Sequence, residues 1–469
     1  MNFTRERNLS REMGTIRVIS MNSAKHGERL SFVAGVLGRS CLFLFGYLFC
    51  GLSCLTDAAA ETDIHITGAQ AGFPVAIPRL CDAGGAAEPA AKIADVIAKD
   101  LEISGLFKVI NPSAYVEAPG KCAPPDKVAY SDWSVIGAEG LVKGEVSGNA
   151  SGMEVRMYLH DVLQQRAVIG KRYEASPQDY SRIAHKFSNE IVRFFTGEPG
   201  IFGTRIAYVS RVGRFKELFI MDLDGSNIRQ LTRDNGLAMS PSWSPSGDRL
   251  IYTSYRSRKP ELYFISPEGG APRQVTERQG LEIGAKFAPD GGSIITSAAI
   301  AGVSKIALLD LNGRLLKKLS GSSDAIDVSP SYAPDGSKVA FCSNRSGGPQ
   351  IYVMAASGEP ATRVSFTDSN YCTSPAWSPK GDKIAFVCRA GGNQLFLTSP
   401  AGGQVTQLTF AGDNEDPSWS PDGRFLAFSS NFGSGARNIA LLSLLGGSPH
   451  RVSFARSEDS QPAWSPRAD

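Results

Sequence analysis

A seven-residue pattern recurs six times through the second half of the chain and constrains its fold more than any other feature. The copies are PSWSPSG (Pro241 to Gly247), AKFAPDG (Ala285 to Gly291), PSYAPDG (Pro330 to Gly336), PAWSPKG (Pro375 to Gly381), PSWSPDG (Pro417 to Gly423) and PAWSPRA (Pro462 to Ala468). Their aromatic residues, Trp243, Phe287, Tyr332, Trp377, Trp419 and Trp464, are separated by 44, 45, 45, 42 and 45 positions. Self-similarity of that period marks stacked or radially arranged units. Each copy reads as a strand entering a tight turn, where Pro has its φ preset and Gly closes the hairpin. An alternating run such as RLIYTSY or KVAFCSN follows, then a third strand such as ELYFIS and a fourth such as PRQVT. Four short antiparallel strands per unit, with no helix, describe a propeller blade and not a helical solenoid.

The ends of the repeat region complement each other. Arg205 to Thr232 supplies three strands with no pattern before them, and Pro462 to Pro466 supplies the pattern with no strands after it. Joined, they complete a sixth blade, so the ring is expected to close by pairing its first and last strands, leaving no exposed edge there. The recurring aromatics are expected between blades, and the Asp of P-D-G is expected to bond its own turn. If Pro379 to Asp382 forms a turn, Trp377 lies opposite Ile384, and Cys372 opposite Cys388 or Arg389. A Cys372–Cys388 disulfide is the expectation.

Upstream, Cys41 to Leu55 is apolar and uncharged, preceded by Lys25, Arg29 and Arg39 and followed by Ala58, Ala59 and Ala60. This order reads as an export signal cleaved after Ala60, and the apolar run is short for a ~30 Å hydrocarbon core. Export permits disulfides, and five cysteines follow the signal: Cys81, Cys122, Cys342, Cys372 and Cys388. No Cys/His cluster points to a metal. A net charge of +3, without a basic block, argues against nucleic acid. The chain is expected to divide into a leader (1–60), a small α/β domain (61–197), a linker (198–202) and an all-β six-bladed propeller (203–469). In the α/β domain, Ile93, Val96, Ile97 and Leu101 share one helical face. A second helix opens at Ser176-Pro177, is expected to bury Tyr180, Ile183, Phe187, Ile191 and Phe194, and stops at Gly197.

With the junction FFTGEPGIFGTRIAYVS (Phe194 to Ser210) and the segment DWSVIGAEGLVKGEV (Asp132 to Val146), this organisation resembles the TolB family of periplasmic proteins. The resemblance implies a non-catalytic, monomeric part of the Tol-Pal system of Gram-negative envelopes. Such a protein binds the lipoprotein Pal on its propeller and the inner-membrane protein TolA through its extreme N-terminus. It supports outer-membrane integrity and cell division, uses no cofactor and is held at the envelope through its partners. The first mature residues, Glu61, Thr62, Asp63, Ile64, His65 and Ile66, would then be the TolA segment, acting by strand addition.

Within a propeller, turns from second to third strand and links from blade to blade share one end of the channel. The first set is basic: Arg211, Arg214, Arg256, Arg258, Lys259, Lys305, Arg345, Arg389 and Arg437. The second is acidic and includes Asp234, Asp327, Asp368, Asp416 and Asp459. Acidic groups ringed by cations are expected around the channel, a pattern suited to steering a charged partner. Among these, Arg211, Arg256, Arg258, Lys305, Arg345, Arg389, Arg437, Asp327, Asp368 and Asp416 are the candidate Pal contacts. An enzyme is the competing reading, since propellers host hydrolases and lyases. No G-x-S-x-G elbow occurs, however, and His65, His160, His185 and His450 form no evident acid/base pair. A glycan-binding propeller is the other alternative.

Overall fold

The computed structural model describes residues 72–117, 127–149, 151–276, 282–321, 324–432, 435–454 and 458–467. The cleavage site at Ala60 and the segment Glu61 to Ile66 lie outside the described residues. The first part of the described chain is one sheet under two helices. Its strands are β1 (Phe73–Ala76), β2 (Cys81–Gly84), β3 (Phe107–Val109), β4 (Gly140–Asn149), β5 (Gly152–Asp161) and β6 (Arg166–Ala175). They run in the order β3-β1-β4-β5-β6, with β2 also pairing β4. Helix α1 (Ala87–Ile103) buries Ile93, Ala94, Ile97 and Leu101, the three- and four-residue spacing of one face. A five-residue helix, α2 (Tyr130–Ser134), buries Trp133. Helix α3 (Tyr180–Thr196) follows a single 3₁₀ turn at Pro177–Asp179. Its cap is Gly197, left-handed at φ 78°, whose N–H bonds the Arg193 carbonyl.

Helix α3 corrects one expectation. Phe194 does not join the buried face and is 53% exposed. Four-residue steps from Phe187 through Ile191 bring Phe195 over the sheet edge instead. Its ring meets Phe73 and Phe107 at centroid distances of 4.7 and 5.1 Å.

Six four-stranded antiparallel sheets follow. Blade 1 is built from both ends of the ring: Asp459–Trp464 is its inner strand, followed outward by Arg205–Val212, Phe215–Asp222 and Arg229–Gln230. Blades 2 to 6 begin with inner strands Ala238–Trp243, Glu282–Phe287, Asp327–Tyr332, Cys372–Trp377 and Asn414–Trp419. In blade 1, Trp464 pairs with Ile206 and Asp459 with Ser210, so the ring closes as expected. The recurring Trp side chains are buried between blades. Trp243 donates its indole N–H to the Ala463 carbonyl of blade 1, and Trp419 to the Ala376 carbonyl of blade 5. The P-D-G aspartates bond their own turns: Asp290 accepts the Gly292 N–H and Asp335 the Ser337 N–H, each at 2.9 Å.

The α/β domain packs against blades 1 and 6. Ile97, Leu101, Ile191 and Phe202 share one apolar cluster with Tyr208, Phe425, Leu441 and Trp464. The connecting segment is held on both sides. Asn189 bonds the N–H and carbonyl of Phe202, and Glu198 faces Lys380 at 3.5 Å and Arg424 at 3.7 Å. Lys99 reaches Asp224 in the third-to-fourth-strand turn of blade 1 at 3.1 Å. These contacts all fall at the end of the ring carrying the first-to-second and third-to-fourth turns.

Beside this junction, His185 Nδ1 of α3 lies 2.9 Å from the carboxylate of Asp100 in α1. Burial pulls the imidazole pKa down, but the bond to Asp100 and the charges of Asp100, Asp224 and Asp222 together hold it above its usual 6.5. Burial in turn raises the Asp100 carboxyl, against the pull of His185. A histidine with a raised folded pKa contributes stability that is complete below its unfolded pKa and lost as pH rises through the folded one. The urea midpoint is therefore expected to fall as pH rises above about 6.5. A His185→Asn variant should lack that slope; an identical slope in both proteins would refute the assignment.

Candidate protein-binding face

The opposite end of the ring carries the second-to-third-strand turns and the links between blades. Each inner strand breaks register with its neighbour at the same point near the channel. There Ser240, Gly284, Ser329, Ser374, Asp416 and Gln461 all have φ between 52° and 70°. A bulge with left-handed backbone bends the strand and re-aims its side chains. In five blades a proline follows, at Pro241, Pro330, Pro375, Pro417 and Pro462, and these pairs line a narrow channel cavity of about 110 Å³. The freed bulge N–H groups are taken up by other side chains: Ser240 N–H bonds Gln461 Oε1 at 2.8 Å, and Ser329 N–H bonds Ser297 Oγ at 3.1 Å. Two charged side chains, Lys286 and Asp416, line this cavity, from blades 3 and 6. Burial and then the Glu415 charge lift Asp416 to about 6, while Arg437 and Lys286 pull the other way. Burial lowers Lys286, with Asp416 opposing.

Among the described residues lining this cavity, Asp416 is the one carboxylate of the expected acidic ring. Asp327 and Asp459 are fully buried at the start of their inner strands, where the link from the previous blade turns inward. Asp459 accepts from Ser210 Oγ at 2.6 Å. Asp234 accepts from Ser254 and from Tyr252 at 2.5 and 3.2 Å. The same strand-start position in blade 5 holds Cys372, paired across the strands with Cys388 and joined to it by a disulfide, Cα–Cα 4.2 Å. A covalent bond there replaces the acid–hydroxyl bond of blade 1. Cys81 is also disulfide-bonded, and Cys342 is a buried free thiol.

The candidate cations separate into two groups. Lys305 lies within a third strand and is 2% exposed; its Nζ donates to the Ala325 carbonyl at 2.6 Å and stands 3.6 Å from Asp327. Arg345 bridges Asp327 at 3.2 Å and Glu359 at 2.9 Å, over the rings of Phe341 and Tyr352. Lys305 and Asp327 therefore cannot touch a partner and instead stiffen the face from below. A charged residue near a predicted turn gave no means of foreseeing that, because burial depends on where the strand actually ends. Arg437 pairs with Glu415 at 2.8 Å, and Arg211 with Glu458 at 2.5 Å. Arg258, Arg389 and Asp368 remain open to solvent, and Arg256, also exposed, lies 3.8 Å from the buried Asp234 carboxylate. Arg389 stacks on Tyr371 at 3.8 Å, and Arg256 on Tyr263 at 5.4 Å. The face is thus a rim of cations above a buried ionic layer, around a channel too narrow for more than a few waters.

Comparison with known proteins agrees with this architecture. The description "TolB beta propeller domain" matches residues 192–468, and "TolB amino-terminal domain" matches residues 62–168. The chain belongs to the TolB family. Among curated relatives, TolB of Syntrophotalea carbinolica is 35% identical over 209 residues, 43% of this chain and 48% of that protein. TolB of Paramagnetospirillum magneticum is 38% identical over 209 residues, 43% of this chain and 46% of that protein. Both are described as Tol-Pal system proteins, and the matched region spans about half of their length. The crystal structure of TolB from Acinetobacter baumannii superposes with a TM-score of 0.74 at 27% identity, covering 85% of this chain and 97% of that one. No helix among the described residues is long and apolar enough to cross a membrane.

Proposed function

We propose that this TolB-family chain is a non-catalytic periplasmic adaptor of the Tol-Pal system. In this reading the cationic rim opposite the α/β domain binds Pal, and Glu61 to Ile66 bind TolA. The observation that carries it is the rim itself. Arg258 and Arg389 are exposed with no ion pair among the described residues, and Arg256 is exposed while anchored 3.8 Å from the buried Asp234 carboxylate; on the same face Arg345 and Lys305 are already committed to Asp327. Exposed cations on a pre-organised surface steer an acidic partner and set its orientation, whereas the paired layer beneath limits rearrangement on binding. The description of the relatives as Tol-Pal system proteins supports the same reading.

Reversing Arg256, Arg258 and Arg389 to Glu together is expected to weaken Pal binding by about tenfold or more, chiefly through a slower on-rate that loses its salt dependence. Arg345 is left intact in this variant because its removal would disturb the buried layer. Calorimetry and stopped-flow association against purified Pal read both effects. Undiminished affinity in a folded triple variant would place the contact elsewhere.

A further inference from the structure

The outer wall of the ring is chemically divided. In blades 1 to 3 the third-to-fourth turns carry Asp224, Glu268 and Arg314, tied to Lys99, to Arg205 and Arg229, and to Asp310. In blades 4 to 6 the same turns (356–357, 399–404 and 444–449) contain no charged side chain. On those same three blades, the third residue after the outer strand is Phe366, Phe410 and Phe454, exposed by 58%, 78% and 71%.

Their exposure follows from a bond repeated in every blade. The preceding Ser or Thr turns inward to accept an N–H from the third strand: Ser365 from Ile351, Thr409 from Leu395 and Ser453 from Ile439, at 2.9 Å each. Thr232 and Ser320 do the same for Leu218 and Ile306. Alternation then sends the next side chain outward. Blades 1 and 3 place Arg233 and Gly321 there. Blades 1 and 3 therefore close without an aromatic residue at this position, and the blade's own hydrogen bonding does not require the three on consecutive blades.

Two guanidiniums are held beside them. Arg363 lies over the Phe366 ring at 5.2 Å and Arg451 over the Phe454 ring at 5.1 Å. Each donates Nε–H to a carbonyl two residues on, at 2.8 Å. Arg451 also acts on the Asp459 carboxylate of the neighbouring inner strand. We infer that Phe366, Phe410 and Phe454, with Arg363 and Arg451, form a docking surface for a protein whose contact face presents apolar side chains fringed by carboxylates. The apolar rings supply the contact area and the fixed guanidiniums its charge complement. An anionic bilayer fits less well, because the exposed carboxylate Asp368 stands two residues from Phe366. This surface goes beyond the assignment of the cationic rim.

A photo-crosslinking phenylalanine analogue at 366, 410 or 454 in the full chain, in cells that produce it, tests the inference. The expected result is one protein adduct joined through an acidic, apolar-bearing segment. Its affinity for the purified chain should fall about tenfold or more with Phe366→Ser/Phe410→Ser/Phe454→Ser, and similarly with Arg363→Glu/Arg451→Glu. Thermal unfolding of both variants should stay near the wild type, which separates lost docking from lost folding. Adducts to lipid, to a second copy of this chain or to a basic segment would overturn the inference. So would no adduct at all, or an affinity indifferent to both variants.

Discussion

Replacing Trp464 with Ala is expected to destabilise the protein by about 3–5 kcal/mol, at the upper end for a single core substitution. Trp464 is the last aromatic of the repeat and is 6% exposed. Its indole N–H bonds Thr204 Oγ1 at 2.9 Å, and its backbone N–H bonds Ser418 Oγ of blade 6 at 3.0 Å. Its ring belongs to the cluster joining blades 1 and 6 to α1 and α3. One substitution therefore opens a cavity where ring closure and the domain junction meet. Trp243 has an equivalent inter-blade bond but packs in a cluster that contains no residue of the α/β domain. Its loss should leave that junction intact. Urea unfolding monitored separately by helical and strand signals should show α/β and propeller transitions separating in Trp464→Ala and coinciding in Trp243→Ala. A loss below about 1 kcal/mol for Trp464→Ala would contradict the role assigned to closure.

The second large effect is expected at Asp327. Replacing it with Ala leaves Lys305, 2% exposed, and Arg345 facing a site with no carboxylate at its centre. Removing one member of a buried ionic group costs about 3–5 kcal/mol, because the remaining charges stay desolvated without the carboxylate that balanced them. Glu359 still engages Arg345 at 2.9 Å, and the Ala325 carbonyl still accepts from Lys305 at 2.6 Å, so what is lost is the carboxylate shared by both cations. A Lys305→Met/Asp327→Leu double variant should accordingly be more stable than Asp327→Ala, with a coupling of ~1–3 kcal/mol in the cycle. Additive losses would mean that the two charges do not depend on each other.

The ring was legible in the sequence because its construction is local and repeated. A strand, a Pro-Gly turn and a second strand announce themselves within a dozen residues, and six copies at one spacing leave little choice of architecture. The cross-strand partner of Cys372 was narrowed to two residues for the same reason, since a hairpin turn fixes register. The binding face was much less legible. Whether a charge near a turn reaches solvent depends on where each strand ends, so Lys305 and Arg258 look alike in the sequence and differ completely in the fold. The channel pair Lys286 and Asp416 depends on bulges that set strands of opposite blades to face each other, and no local pattern announces that. The aromatic arc did carry a signal: Ser-Phe, Thr-Phe and Ser-Phe end three successive repeats at 365–366, 409–410 and 453–454. It is seen by comparing repeats at their variable positions, whereas the search for a pattern attends to the constant ones.

The most direct test of the adaptor assignment is a paired titration of the chain with Pal and with TolA. Two variants are compared with wild type: Arg256→Glu/Arg258→Glu/Arg389→Glu, and a chain lacking Glu61 to Ile66. The rim variant should bind Pal about tenfold more weakly and still bind TolA, while the truncated chain should lose TolA and retain Pal. Pal affinity unchanged by the rim variant, together with TolA affinity unchanged by the truncation, would contradict the account.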